Sequence, residues 1–132
     1  MNGLTIGAAM EVLGGEYYGG ILQGIERVAR ERAARLLVFR GTPGDVAAAP
    51  FAREVHGWIV VHSPVGLSAL ARRGLPLVTV AYHDPEVGCP AVLADNAAGV
   101  RDAVRHLIAH GHRRIAFVGW REYPAIRERY EG

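Results

Sequence analysis

The chain has 132 residues, half of them apolar, 21% charged, and a net charge of +2. That length is enough for one domain with a buried core, and the composition excludes disordered and fibrous classes. No apolar run approaches the about 18–20 residues that a membrane helix needs, so no membrane association is expected. All fifteen basic residues are Arg, scattered among acids as in ERVARERAAR, which speaks against a nucleic-acid groove. The first residues lack a basic segment before an apolar one, so no signal peptide is expected. The single Cys89 cannot form an internal disulfide and suits a reducing cytoplasm.

Taken in order, Leu4 to Met10 is small and apolar and reads as a first strand. Tyr17 to Ala34 reads as a helix, with Ile21, Leu22, Ile25, Val28 and Ala29 on one face and Glu26, Arg27, Arg30 and Glu31 on the other. Arg35 to Phe39 is a second strand. Gly41 to Pro50 is turn-rich, leaving at most a short helix at Phe51 to Val55. Trp58 to His62 is a third strand, Leu67 to Arg73 a short helix closed by Gly74, and Leu77 to Tyr82 a fourth strand. Val92 to Asp95 is a fifth strand. A helix follows, on which Val100, Val104, Leu107 and Ile108 recur at helical spacing. Asn96 can cap its start and Gly111 can end it in a left-handed conformation. Ile115 to Val118 is a short apolar run of the kind a buried parallel strand shows. Another helix begins at Ala125.

Strands alternating with helices at this spacing predict an α/β fold, a doubly wound parallel sheet of the flavodoxin-like kind. Ligands of such sheets bind at the carboxyl ends of the strands. The loops that matter are then 11–18, 40–45, 62–66, 82–90 and 119–127.

Nine positions within 25 residues form a specific pattern: Asp95, Asn96, Gly99, His106, Leu107, Gly111, His112, Ile115 and Gly119. This pattern resembles the lactose/galactose-repressor family, whose effector-binding domains have a two-lobed, periplasmic-binding-protein-like fold. In that family the Gly-His turn lies where the chain leaves the first lobe for the second. The resemblance implies an N-terminal lobe at 1–112 and the truncated start of a second lobe at 113–132. GEYYGGILQGIE is similar to related sensor modules fused to diguanylate cyclases or histidine kinases. No helix-turn-helix precedes the first strand, so contact with nucleic acid is expected only through a DNA-binding domain outside this chain.

The resemblance also implies a ligand site. Tyr17 and Tyr18 start the first helix at the mouth of the sheet, where similar regulators carry an aromatic pair that touches the effector. Aromatic faces suit sugars and bases; from spacing alone, both could equally be packing residues. His62 lies at the end of the third strand. Tyr82 and Asp84 follow the fourth, where the family often has an acid, although Asp-Pro is also an ordinary turn former. Arg127 and Arg129 lie in RERYEG, and Arg129 with Gly132 matches the family's R-x-x-G, whose arginine enters the ligand cleft. A guanidinium fork suits carboxylates, phosphates or vicinal hydroxyls.

Other chemistries fit poorly. His106 and His110 stand i, i+4 with His112 just beyond, but no acid or second cysteine completes a metal set. Dinucleotide, P-loop and nucleophile-elbow signatures are absent, as are the acids and lysine of a receiver domain. No catalytic residue and no cofactor are expected. The function expected is non-catalytic sensing of a sugar- or nucleobase-like effector by a bacterial transcriptional regulator or signalling protein. The alternative is a stand-alone flavodoxin-like nucleotide-binding domain or enzyme. A homodimer is expected, with the apolar 115–118 segment offering an uncovered strand edge.

Overall fold

The computed structural model describes residues 3–132. It divides into a first compact unit that ends at Leu93 and a second, Ala94–Gly132.

The first unit is a five-stranded, all-parallel sheet in the order β2-β1-β3-β4-β5. Its strands are β1 (Thr5–Met10), β2 (Arg35–Arg40), β3 (Gly57–Val61), β4 (Leu77–Val80) and β5 (Ala91–Val92). The connecting helices are α1 (Glu16–Glu31), α2 (Pro43–Ala48) and α3 (Leu67–Ala71), with a 3-10 turn at Pro50–Glu54. The expected doubly wound parallel sheet is therefore present, in the flavodoxin-like order.

Alternation along the strands assigns the two faces. Ala9, Trp58 and Val60 join Val46, Ala52, Val55, Leu67 and Leu70 in one buried cluster, so α2, the 3-10 turn and α3 cover that face. Ile6 and Ile59 point the other way and, with Ile21, Ile25 and Val28 of α1, line an apolar groove. β1 lies between β2 and β3, and its last four residues are buried. β2 is an edge strand, and Arg35, Leu37, Val38 and Arg40 stay exposed.

α2 departs from the sequence expectation, which left Gly41 to Pro50 without a helix. Thr42 and Asp45 form a reciprocal capping box around the first turn, with Pro43 just inside it. The box satisfies donors that a helix start otherwise leaves open, and proline supplies a preset φ. That is enough for a six-residue helix whose Val46 reaches the core.

The second unit holds α4 (Asn96–Ala109) and α5 (Pro124–Glu131), which pack on each other. Asp95, not Asn96, is the N-cap: its side chain accepts from the Ala98 N–H at 2.9 Å. Asn96 is the first helical residue, and its amide is spent across the helix pair. Gly111 ends α4 with φ 86°, as expected of a left-handed terminator. The expected strand at 115–118 is not formed, and 112–120 carries no regular structure. A strand needs a partner ladder, and among the described residues this unit supplies two helices and no second strand. Val118 is accordingly 94% exposed.

Candidate functional site

The strand order reverses between β1 and β3, which places a crevice at the carboxyl ends of those two strands. β1 ends at Met10 and is followed by Glu11; β3 ends at Val61 and is followed by His62 and Ser63. Ser63 is fully buried and donates its hydroxyl to Glu11 Oε1 at 2.5 Å. The two residues are 52 apart in sequence, so this contact exists only because parallel pairing brings the strand ends together. From β2, Arg40 directs Nε at the Glu11 carbonyl at 3.5 Å, a long contact.

His62 has φ 52°, and Ala81, the residue just past β4, has φ 61°. Left-handed backbone is uncommon without glycine and costs energy, typically about 1–3 kcal/mol per residue. Here two such residues stand directly beyond adjacent strand ends. Each still donates its N–H to the next strand, His62 to the Val80 carbonyl and Ala81 to the Val92 carbonyl, both at 2.9 Å. The ladder holds the turn, and the turn sets the direction of the side chain that follows.

Tyr18 reaches His62, with its hydroxyl 3.3 Å from Nδ1. The rings sit edge to face with centroids 6.2 Å apart. Tyr17 packs edge to face on Tyr18 at 5.1 Å and stays 58% exposed, while Tyr18 is half-buried. Tyr18 is thus the more enclosed ring of the pair and Tyr17 the more exposed. α1 starts without a side-chain cap, from Gly15 at φ 83°.

Tyr82 lies at the same end of the sheet and packs against the core cluster. Burial raises its phenol above the usual 10.0, and the nearby Asp84 and Glu86 carboxylates add to that. Asp84 itself is engaged locally: its Oδ1 accepts from the Glu86 N–H at 2.9 Å and the Val87 N–H at 3.3 Å. That is the turn-forming role of an Asp-Pro loop.

Arg127 and Arg129 belong to the second unit. Arg129 donates Nε to Asn96 Oδ1 at 2.8 Å, and Asn96 Nδ2 donates to Glu128 Oε2 at 2.9 Å. One asparagine amide therefore ties two residues of α5 to the start of α4 and leaves the outer nitrogens of Arg129 to other partners. Arg127 is exposed on α5.

The structure thus brings Tyr17, Tyr18 and His62 together and puts Tyr82 at the same sheet end. Glu11, Ser63 and Arg40 were not among the residues the sequence singled out. Their signal was positional, since each stands one or two places beyond a strand end or closes a strand. Among the described residues no group of three or more His, Cys, Asp or Glu side chains could hold a metal ion.

No family model matches the chain. The solved structure of the transcription regulator CcpA of Lactococcus lactis superposes with a TM-score of 0.83 at 19% identity, covering 98% of this chain and 51% of that one. A protein of Burkholderia thailandensis assigned as a ribose operon repressor gives 0.81 at 28% identity, covering 96% and 52%. The fold of this chain is therefore that of part of the lactose/galactose-repressor-type regulators. A LacI-family regulator of Enterococcus faecium, solved with bound ribose, matches this chain with a TM-score of 0.78 at 25% identity, over 96% and 49%. An uncharacterised HTH-type transcriptional regulator of Streptomyces limosus is 39% identical over 70 residues, 52% of this chain and 20% of that protein. The chain spans about half the length of the solved regulators it matches. No helix among the described residues is long and apolar enough to cross a membrane.

Proposed function

We propose that this chain is the non-catalytic effector-sensing lobe of a bacterial transcriptional regulator or signalling protein, with its ligand seated at the carboxyl ends of β1, β3 and β4. One observation carries the reading. The β1/β3 crevice gathers an aromatic pair, an imidazole and a carboxylate, held there by left-handed backbone at His62 and a buried hydroxyl at Ser63. Such an arrangement binds and orients a small polar ring, since aromatic faces cover its apolar side and fixed acceptors take its hydroxyl or amino protons. The regulators of similar fold and the ribose bound to one of them support a sugar- or nucleobase-like ligand.

Residues 1–112 form the N-terminal lobe in this reading and 113–132 open the second, which carries the proposed ligand residues Arg127 and Arg129. DNA contact belongs to a domain outside this chain, the setting is cytoplasmic, and the protein acts as a homodimer. The sheet order is also that of flavin-binding flavodoxin-like domains, so flavin mononucleotide is the rival probe. Calorimetric titration of the 132-residue chain with D-ribose, D-glucose, adenine and flavin mononucleotide tests the reading. Saturable binding of a sugar or adenine without turnover is the expected result. Binding of the flavin alone, or turnover of any probe, overturns it.

A further inference from the structure

The β1/β3 crevice contains a carboxylate whose position the fold specifies. Glu11 directly follows a central buried strand, whose last residue, Met10, is paired on both sides, with β2 and with β3. One oxygen of its carboxylate, Oε1, accepts from a hydroxyl that is fully buried at the end of β3. A buried hydroxyl must find an acceptor or leave a polar group stranded. Ser63 therefore costs stability unless Glu11 stays in place, and Glu11 in turn is oriented by a rigid donor. The bond uses one oxygen, and Glu11 is solvent-exposed, so Oε2 keeps acceptor capacity for a ligand.

Another acid at this sheet end, Asp84, is held differently. Asp84 is engaged by two backbone donors of its own turn. Tyr18 and His62 are engaged with each other. Glu11 thus brings to the crevice a fixed negative charge that lacks a salt-bridge partner among the described residues.

We propose that Glu11, positioned by the buried Ser63 hydroxyl, is a specificity-determining residue of this site, accepting from hydroxyl or ammonium groups of the ligand and rejecting ligands that carry a carboxylate. The proposal rests on the effector-sensing reading above. A carboxylate held at a fixed point favours donors and repels like charge, which rejects a ligand by repulsion as well as selecting one by attraction. Ser63 is a positioning residue: it touches Glu11 and acts through it.

The test is calorimetry on the 132-residue chain with D-ribose, D-glucose and D-glucosamine against D-ribonate and D-glucuronate. The wild type should prefer a neutral or amino sugar over its acid analogue. Glu11→Gln, which keeps an oxygen acceptor for the Ser63 hydroxyl, should narrow that ratio by about tenfold, the scale of one charged hydrogen bond. Ser63→Ala should weaken binding of the neutral sugar, and Ser63→Thr should restore it, a rescue that a loss of packing alone would not produce. A sugar that binds wild type and Glu11→Gln with the same affinity and the same neutral-to-acid ratio overturns the proposal and leaves the effector reading intact. Preference for the acid analogues does the same. Failure of every sugar and of adenine to bind overturns the effector reading itself, and this proposal with it.

Discussion

Gly7 and Trp58 are direct partners across the β1/β3 ladder, and the indole of Trp58 fills the space that a side chain at position 7 would need. A Cβ there would overlap the six-membered ring of the indole. Trp58 is 2% exposed and among the largest fully enclosed side chains of the molecule, so it has little room to yield. The glycine in this central strand is therefore a consequence of the tryptophan beside it.

Gly7→Ala should destabilise the first unit by about 1–3 kcal/mol, the usual cost of overpacking a tight core. Urea unfolding followed by tryptophan fluorescence measures it. The double variant Gly7→Ala, Trp58→Leu should show coupling, with a loss smaller than the sum of the two single losses. Additive losses would mean that the ring is not what excludes the methyl group.

Tyr82 should be a late-titrating tyrosine. Burial first, and the Asp84 and Glu86 charges second, raise its folded pKa above 10.0. The sign follows from linkage: the unfolded chain releases the proton earlier, so the stability from this residue is fully present below about pH 10 and is lost as pH rises through the folded value. Absorbance titration of the phenolates should show a component above pH 10 that Tyr82→Phe removes. Asp84→Asn should move it partway down.

The capping box at α2 sets a testable acid response. Hydrogen bonds from the Thr42 side chain and backbone lower the Asp45 carboxyl below its usual 3.8. A depressed folded pKa contributes stability above the unfolded value, and that contribution disappears as pH falls through the folded one. Carbon-detected NMR should find Asp45 titrating below 3.8 in the wild type and nearer to it in Thr42→Ala. Thr42→Ala should also cost about 1 kcal/mol of stability, as lost N-caps do.

For the ligand site, Tyr18→Ala should weaken effector binding by about 1–3 kcal/mol through lost stacking and an unpaired imidazole. Tyr18→Phe, which keeps the ring and removes only the hydroxyl bonded to His62, should lose less. Arg129→Ala should weaken binding by a similar amount, whereas Arg72→Ala, exposed just past α3, should not. Normal binding by both Tyr18→Ala and Arg129→Ala would place the ligand elsewhere.

In the second unit, Asn96→Ala removes both hydrogen bonds that link α4 to α5 through one amide. Amide exchange in α5 should then rise well above wild type, while the α4 start persists because Asp95 caps it. Asp95→Ala should do the opposite, loosening the first turn of α4 first. Identical exchange in the two variants would mean that the helix pair does not depend on these bonds.

The sequence by itself determined what a few neighbouring residues can encode. Alternating apolar runs and amphipathic helices specify a parallel α/β sheet, because strand and helix periods are local properties. The left-handed glycines at 74 and 111 mark the helix ends for the same reason. The position of Tyr17 and Tyr18 at the carboxyl end of the sheet is legible because a helix that follows a parallel strand begins there. The tertiary structure alone decided which polar atoms meet. Ser63 and Glu11 are 52 residues apart, and Asn96 and Arg129 are 33 apart. Local reasoning gave Asn96 a capping role because its amide could reach its own helix. In the fold Asp95 takes that bond and the amide serves α5. Ile115 to Val118 has the composition of a strand, yet strand formation requires hydrogen-bond partners on another segment, which composition cannot supply. Asp84 was legible as either a ligand contact or a turn former, and the two backbone donors of its own loop show it engaged in the turn.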